Sequence, residues 1–317
     1  MIHLDPELAR PLAEEEAAAA RAGTAEPPAA GDIAGLRELT DASLRLEFAS
    51  IAGSPDVSYS PHTAASPEGD DIRLRWYARS AQNPNPAVVY LHGGGMIGGS
   101  VELYDPLIRS YVQNSGVPFL AVEYRLAPEF GGETPARDAL AAMRWLQGHA
   151  HELGVDLSRV AVMGDSAGGG LAAAAAILAR DAGIPLARQI LVYPMLDDRI
   201  VEPDRDIAAA ATWTYEMNET GWRALLGDAV GSEAVSPVAA PGRLTDARGL
   251  APAYIEIGTL DVFRDESIRY AQTLLAGGVD VELHVHPGVP HGHDSIAPDA
   301  DVSRRSVADR LRVIAAL

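Results

Sequence analysis

The sequence predicts an α/β fold on a mostly parallel sheet, and three observations predict it. Short apolar runs recur from residue 72 onward, each followed by a helical pattern. Strands that alternate with helices pair in parallel, because each crossover returns the chain to the same end of the sheet, and the helices cover both faces. Gly164-Asp165-Ser166-Ala167-Gly168 stands between one such run and an alanine-rich helix. Several residues capable of chemistry fall just past the ends of apolar runs, where the sites of open parallel sheets gather.

Taken in chain order, residues 1 to about 50 read as a separate helical region. Leu8, Leu12 and the stretch from Glu14 to Ala20 favour one helix, Gly23 to Gly31 with Pro27 and Pro28 breaks it, and Leu36 to Leu46 suits a second. Ile72 to Tyr77 alternates with period two, as a half-buried strand does. Buried strands are expected at Ala87–Leu91, Pro118–Val122, Val160–Met163, Ile190–Tyr193 and Ala253–Ile257. The helices between them fall at about Leu103–Asn114, Ala136–Gly148, Ala167–Asp181 and Asp265–Ala276. A last strand, Val279–Val285, and a terminal helix, Val302–Ala316, close the fold. One stretch interrupts the alternation: Pro194 to Ser236 holds no clear strand and carries Trp213, Tyr215, Met217, Trp222, Leu225 and Leu226 at helical spacings. Helices inserted above a parallel sheet commonly form a lid.

Composition narrows the chemistry. A hydrophobic content of 47% is ample for a buried core. The chain has no cysteine, which excludes thiol catalysis, disulfides and cysteine-ligated zinc. It has no lysine either, all 25 basic residues being arginine, which excludes Schiff bases, a Walker A lysine and a Ser-Lys dyad. A serine nucleophile must then take histidine as its base. A net charge of −19 opposes phosphate backbones and anionic membranes, so neither nucleic acid nor membrane is an expected partner. With no basic, apolar leader at Met1 to Glu7 and no apolar run of membrane-spanning length, a cytoplasmic protein is expected.

Ser166, on a tight strand-to-helix turn flanked by small residues, has the setting of a nucleophile elbow. The following helix aims its unpaired N–H groups at whatever the serine attacks. His92-Gly93-Gly94-Gly95 follows the run ending at Leu91, and such a loop can turn backbone N–H groups toward developing negative charge. His92 suits an anchor for that loop; an ordinary glycine-rich turn would look the same. Asp261 follows the run ending at Ile257 and His291 follows the last strand. Alone, Asp261 could cap a helix near Arg264 and His291 could be structural. Together, in the order Ser166, Asp261, His291, they supply nucleophile, orienting acid and base. His284, His286 and His293 with Asp294 raise a metal site, but no His-Glu-x-x-His pattern accompanies them. The face bearing His284 and His286, opposite Val281, Leu283 and Val285, is expected to face solvent, so no metal is assigned.

From Asp71 onward the chain resembles the bacterial hormone-sensitive-lipase-like (family IV) α/β-hydrolase esterases. The resemblance rests on His92-Gly93-Gly94-Gly95, Glu123-Tyr124-Arg125-Leu126-Ala127-Pro128-Glu129, Gly164-Asp165-Ser166-Ala167-Gly168-Gly169, Tyr193-Pro194-Met195-Leu196-Asp197-Asp198, Asp261 with Arg264-Asp265-Glu266, and Pro290-His291-Gly292. The Gly-Asp-Ser-Ala-Gly form resembles one of its two main subgroups. The resemblance implies an α/β-hydrolase fold with a sheet of about eight strands and a helical cap. It implies Ser166, His291 and Asp261 as triad, and the N–H groups of Gly93, Gly94 and Ala167 as oxyanion hole. The cap would join residues 1–50 to an insertion at 197–235, with 51–196 and 236–317 as the catalytic domain. The activity implied is hydrolysis of short- to medium-chain acyl esters, small molecules, without metal or organic cofactor, with a homodimer as a candidate assembly. The chain departs from the family at Phe130-Gly131-Gly132-Glu133-Thr134-Pro135-Ala136, at His293 and at Met96, which leaves the substrate unspecified. Met96, Ile97, Trp213, Tyr215, Met217 and Trp222 either line an apolar pocket or pack within the cap. An amidase, lactonase or acyltransferase could use the same triad; a non-catalytic receptor would not need it.

Overall fold

The structure, a computed structural model, describes residues 2–22, 28–51, 53–66, 68–79, 85–199 and 202–317. Its elements in chain order are α1 (Pro6–Ala22), α2 (Ile33–Ala49), β1 (Ser58–Ala65), β2 (Asp71–Ala78), β3 (Asn85–Leu91), α3 (Asp105–Ser115), β4 (Phe119–Glu123), α4 (Thr134–Leu153), β5 (Val155–Asp165) and α5 (Ala167–Asp181). They continue with β6 (Arg188–Val192), α6 (Arg205–Ala208), α7 (Tyr215–Leu226), β7 (Ala253–Gly258), α8 (Arg264–Ala276), β8 (Val281–His286), α9 (His293–Ile296) and α10 (Asp301–Ala315).

The eight strands form one sheet in the order β1-β2-β4-β3-β5-β6-β7-β8. β2 pairs antiparallel with both β1 and β4, and the remaining pairs are parallel. The chain leaves β3 for β4 on one side, then returns to β5 on the other. Connections diverge there, so the loops after β3 and β5 face each other across a crevice at the carboxyl ends of both strands. Val88, Val89 and Leu91 of β3 and Ala161, Val162 and Met163 of β5 are fully buried, as expected of central strands covered on both faces.

Three strands differ from the sequence expectation, each for a physical reason. β1 has no apolar signature, contains Pro61 and is mostly exposed; as an edge strand it tolerates a residue that cannot donate to the ladder. β5 begins five residues before the expected run, in the polar stretch Val155-Asp156-Leu157-Ser158-Arg159. β8 is turned over relative to expectation: Leu283 and Val285 are 37% and 41% exposed, whereas His286 is buried. The histidine face packs inward because Tyr254 and His293 receive it, with ring centroids 5.3 Å from His284 and 5.8 Å from His286 respectively.

The N-terminal helices dock onto the ends of this sheet. Leu8 of α1 is fully buried with Val289, Ala297, Ala300 and Val302, and Asp5 donates its N–H to Gly288 O at 2.8 Å. Leu36, Leu44 and Phe48 of α2 join the main core.

Candidate active site

β5 delivers Ser166 to the N-terminal end of α5 with φ 57° and ψ −123°, a positive φ rare for a residue with a side chain. The turn is tight because the carboxyl end of β3 crosses behind it: a Cβ on Gly168 would overlap Leu91 O, and one on Gly164 would overlap Gly168 O. Ser166 N–H donates to Val192 O at 2.9 Å and Ser166 O accepts from Met195 at 3.0 Å, so the strained backbone is pinned on both sides. Asp165 points the other way, is buried, and accepts the hydroxyls of Tyr90 and Tyr104. Burial raises its carboxyl above the usual range despite both donors.

His291 and Asp261 arrive from loops after β8 and β7. His291 Nε2 lies 2.9 Å from Ser166 Oγ, and Nδ1 lies 2.7 Å from Asp261 Oδ2. Asp261 is 1% exposed, and its other oxygen accepts Phe263 N–H at 2.9 Å, so one carboxylate both closes its own turn and orients the imidazole. Tyr193 and Phe263 pack edge-on against the His291 ring at centroid distances of 4.7 and 5.1 Å. Burial disfavours the imidazolium, but the charge and hydrogen bond of Asp261, aided by Asp165 and Asp294, outweigh it and hold the His291 pKa above its ordinary value.

The loop after β3 faces Ser166, with Gly94 and Gly95 on the cavity lining and Gly93 one residue behind, against Tyr104 and Asp165. Ala167 occupies the first position of α5, where N–H groups lack intrahelical partners. His92 is buried and pushed down to about 4 by desolvation, so it is neutral near pH 7. Its Nδ1 bonds Gly93 O at 2.8 Å and its ring stacks on Tyr124 at 4.2 Å, the placement of an anchor.

A cavity of about 150 Å³ opens over Ser166. Leu39, Thr40 and Phe48 of α2 contribute to it, as do Leu107, Trp213 and Met217; Glu47 and Asp165 are its acidic members. Four expected lining residues lie elsewhere. Met96 and Ile97 are buried under the glycine loop, with Met96 against Gly170. Trp222 is 1% exposed in the core, on the inner face of α7. Tyr215 begins α7 on its outer side, where its hydroxyl accepts Asp204 N–H at 3.2 Å. The apolar spacing of 213–226 marks a helix and its buried stripe but does not say which of two apolar surroundings the stripe meets.

Behind His291 lies a buried ionic network. Arg310, 1% exposed, contacts Glu256 and lies 2.6 Å from Asp294; Tyr254 and Ser306 donate to Glu256, and Tyr193 donates to Asp294. Two signals in the sequence mark this pair: Glu256 interrupts an apolar strand, and Arg310 falls on the helix stripe of Val302, Ser306, Val313 and Ile314. Asp294 is thereby committed to Arg310 and Tyr193, so the metal set of His284, His286 and Asp294 does not assemble. Among the described residues Glu282, His284 and Asp309 do gather, but Arg312 pairs with both acids.

The family model for the alpha/beta hydrolase fold matches residues 88–295. The chain belongs to that family. Within the α/β hydrolases it stands with the bacterial hormone-sensitive-lipase-like esterases. It is 33% identical over 305 residues to an ethyl acetate hydrolase of Pseudomonas putida, covering 89% of this chain and 93% of that one. It is 37% identical over 218 residues to esterase LipI of Mycobacterium tuberculosis, covering 66% of this chain and 65% of LipI. Among solved structures, a bacterial heroin esterase superposes with a TM-score of 0.87 at 36% identity, over 98% of this chain and 97% of that one.

Proposed function

We propose that this hydrolase cleaves short- to medium-chain carboxylic esters through an acyl-enzyme on Ser166. The observation that carries the reading is the unbroken hydrogen-bonded series Ser166 Oγ, His291, Asp261, at 2.9 and 2.7 Å, opening into a small cavity. Its relatives, ester hydrolases by name, support it.

Ser166 Oγ attacks the ester carbonyl while His291 Nε2 takes its proton. Asp261 keeps the other ring proton on Nδ1 and stabilises the imidazolium. The N–H groups of Gly93, Gly94 and Ala167 receive the carbonyl oxygen as it becomes negative, each worth about 3 kcal/mol. His291 returns the proton to the departing alcohol, and water then repeats the sequence to release the acid. Every step uses a group of this chain.

The segments 1–50 and 197–235 act as a cap on a catalytic domain of 51–196 and 236–317; α2 and the 212–217 stretch at the cavity support this. The Gly-Asp-Ser-Ala-Gly elbow supports a place in the subgroup of that form. A homodimer through β8 is supported by its place at the sheet edge and its exposed Leu283 and Val285. A net charge of −19 favours a cytoplasmic protein away from anionic lipid; among the described residues no helix is long and apolar enough to cross a membrane.

The test is hydrolysis of p-nitrophenyl esters of graded acyl length beside matching amides and lactones, with Ser166→Ala as control. Turnover of the shorter esters, abolished in the control, is expected. Activity surviving in Ser166→Ala, or confined to amides or lactones, overturns the proposal.

A further inference from the structure

The loop that faces Ser166 is held from outside the sheet. Arg37 and Asp41 stand one turn apart on α2, so both reach the same neighbour. Arg37 Nε donates to Ile97 O at 2.6 Å, and Nη2 donates to Ala127 O at 2.8 Å. Asp41 Oδ1 accepts Gly99 N–H at 2.7 Å. A Cβ on Gly98 would lie 3.0 Å from that same Oδ1, so α2 sits directly against the loop. Glu129 closes the far side of the guanidinium with bonds of 3.0 and 2.6 Å. The hydrogen bond from Arg37 holds Glu129 down to about 2, so this pair is charged at neutral pH.

These contacts grip a turn that needs support. Gly94, Gly95, Met96 and Gly99 all have positive φ, at 120°, 61°, 66° and 82°. Such backbone persists only where its surroundings fix it. Within the turn, Gly94 O accepts the N–H groups of Ile97 and Gly98 at 3.1 and 2.9 Å, so pinning residues 97 and 99 also sets the peptide planes at 94. Met96 O accepts Ala127 N–H at 2.9 Å, and Ala127 O is the second acceptor of Arg37. One arginine therefore bridges the turn and the segment that braces it.

We infer that Arg37 and Asp41 are positioning residues for the oxyanion donors, so that α2 governs the rate of the chemical step as well as the shape of the cavity. This rests on the esterase reading above. A helix that merely closed the pocket would act on substrate binding and acyl-length preference. A helix that holds the donors acts on the transition state, where a displacement of about 1 Å costs on the order of 100-fold in rate.

The experiment compares Arg37→Met, Arg37→Lys, Asp41→Ala and Asp41→Asn with the unaltered protein on p-nitrophenyl butyrate. It measures kcat, KM and inhibition by a trifluoromethyl ketone, whose hemiketal oxyanion needs the same donors. Arg37→Met and Asp41→Ala are expected to lose kcat by about 10- to 100-fold, with KM little changed and ketone affinity falling in parallel. Asp41→Asn keeps an acceptor oxygen and restores most of the loss; Arg37→Lys keeps the charge without the fork and restores little. Melting temperature reports folding, and the conservative Asp41→Asn and Arg37→Lys pair decides the matter if the harsher variants do not fold. Unchanged kcat, or a KM or acyl-length change with ketone affinity intact, overturns the inference. Inactivity of the unaltered protein toward every ester would instead overturn the esterase reading.

Discussion

At His291, burial opposes the imidazolium and Asp261 favours it, and the net effect holds the pKa above the ordinary 6.5. The protonated ring cannot accept the Ser166 proton, so activity falls on the acid side. A raised pKa moves that fall upward: the acid limb of kcat/KM is expected to have its midpoint above about 6.5. Asp261→Asn should move the midpoint downward while lowering the rate by about 10⁴. A pH–rate profile on a soluble ester checks both, and a midpoint unmoved in Asp261→Asn would assign the titration to another group. The same shift contributes stability that is fully present below the unfolded histidine value and is lost as pH rises through the folded one. The hydrogen-bonded set of Ser166, His291 and Asp261 was legible in the sequence because each residue type suits that chemistry and each follows an apolar run. Glu256 and Arg310 were not recognised, since a charge inside an apolar pattern has no evident partner until the sheet brings them together.

Among the elements, α7 and the segment before it separate two tryptophans that the sequence treats alike. Trp213 lines the cavity and Trp222 lies in the core. Trp213→Ala should enlarge the cavity and shift the preferred p-nitrophenyl ester to a longer acyl chain with little effect on melting. Trp222→Ala should cost about 3–5 kcal/mol of stability and leave the acyl-length profile alone. Denaturant unfolding beside the ester series separates the two; the reverse pattern would place the pocket wall on the other ring. The parallel strands and the helices between them were legible because their apolar periodicity is strong. β1 was not, because an edge strand with Pro61 and polar faces lacks that periodicity. The inward face of β8 was misread because its histidines are received by Tyr254 and His293, contacts that only the fold creates. The N-terminal helices were legible as helices, but nothing in their spacing shows that Arg37 and Asp41 grip a loop some 60 residues further along the chain.

For the whole molecule, the two-part topology makes the site a meeting of distant segments. Residues 37 and 41 brace the loop after β3, α1 docks beside the loop that carries His291, and Ser166 stands on the turn from β5 to α5. Deleting residues 1–30 removes α1 and its buried Leu8 and should expose the apolar surface formed by Val289, Ala297 and Val302. The expected result is lower solubility and reduced short-ester turnover, read by light scattering and initial rates. Full activity in a soluble deletion would show that the His291 loop stands without that helix. The cavity has one more consequence, for what leaves it. Its described lining includes the acidic residue Glu47 and no arginine, in a chain of net charge −19, while the Asp165 carboxyl is turned to Tyr90 and Tyr104. A neutral ester feels little of that field, but the carboxylate made from it is repelled, and low-dielectric walls strengthen the repulsion. Hydrolysis thus turns an indifferent occupant into a repelled one, and the field favours its departure.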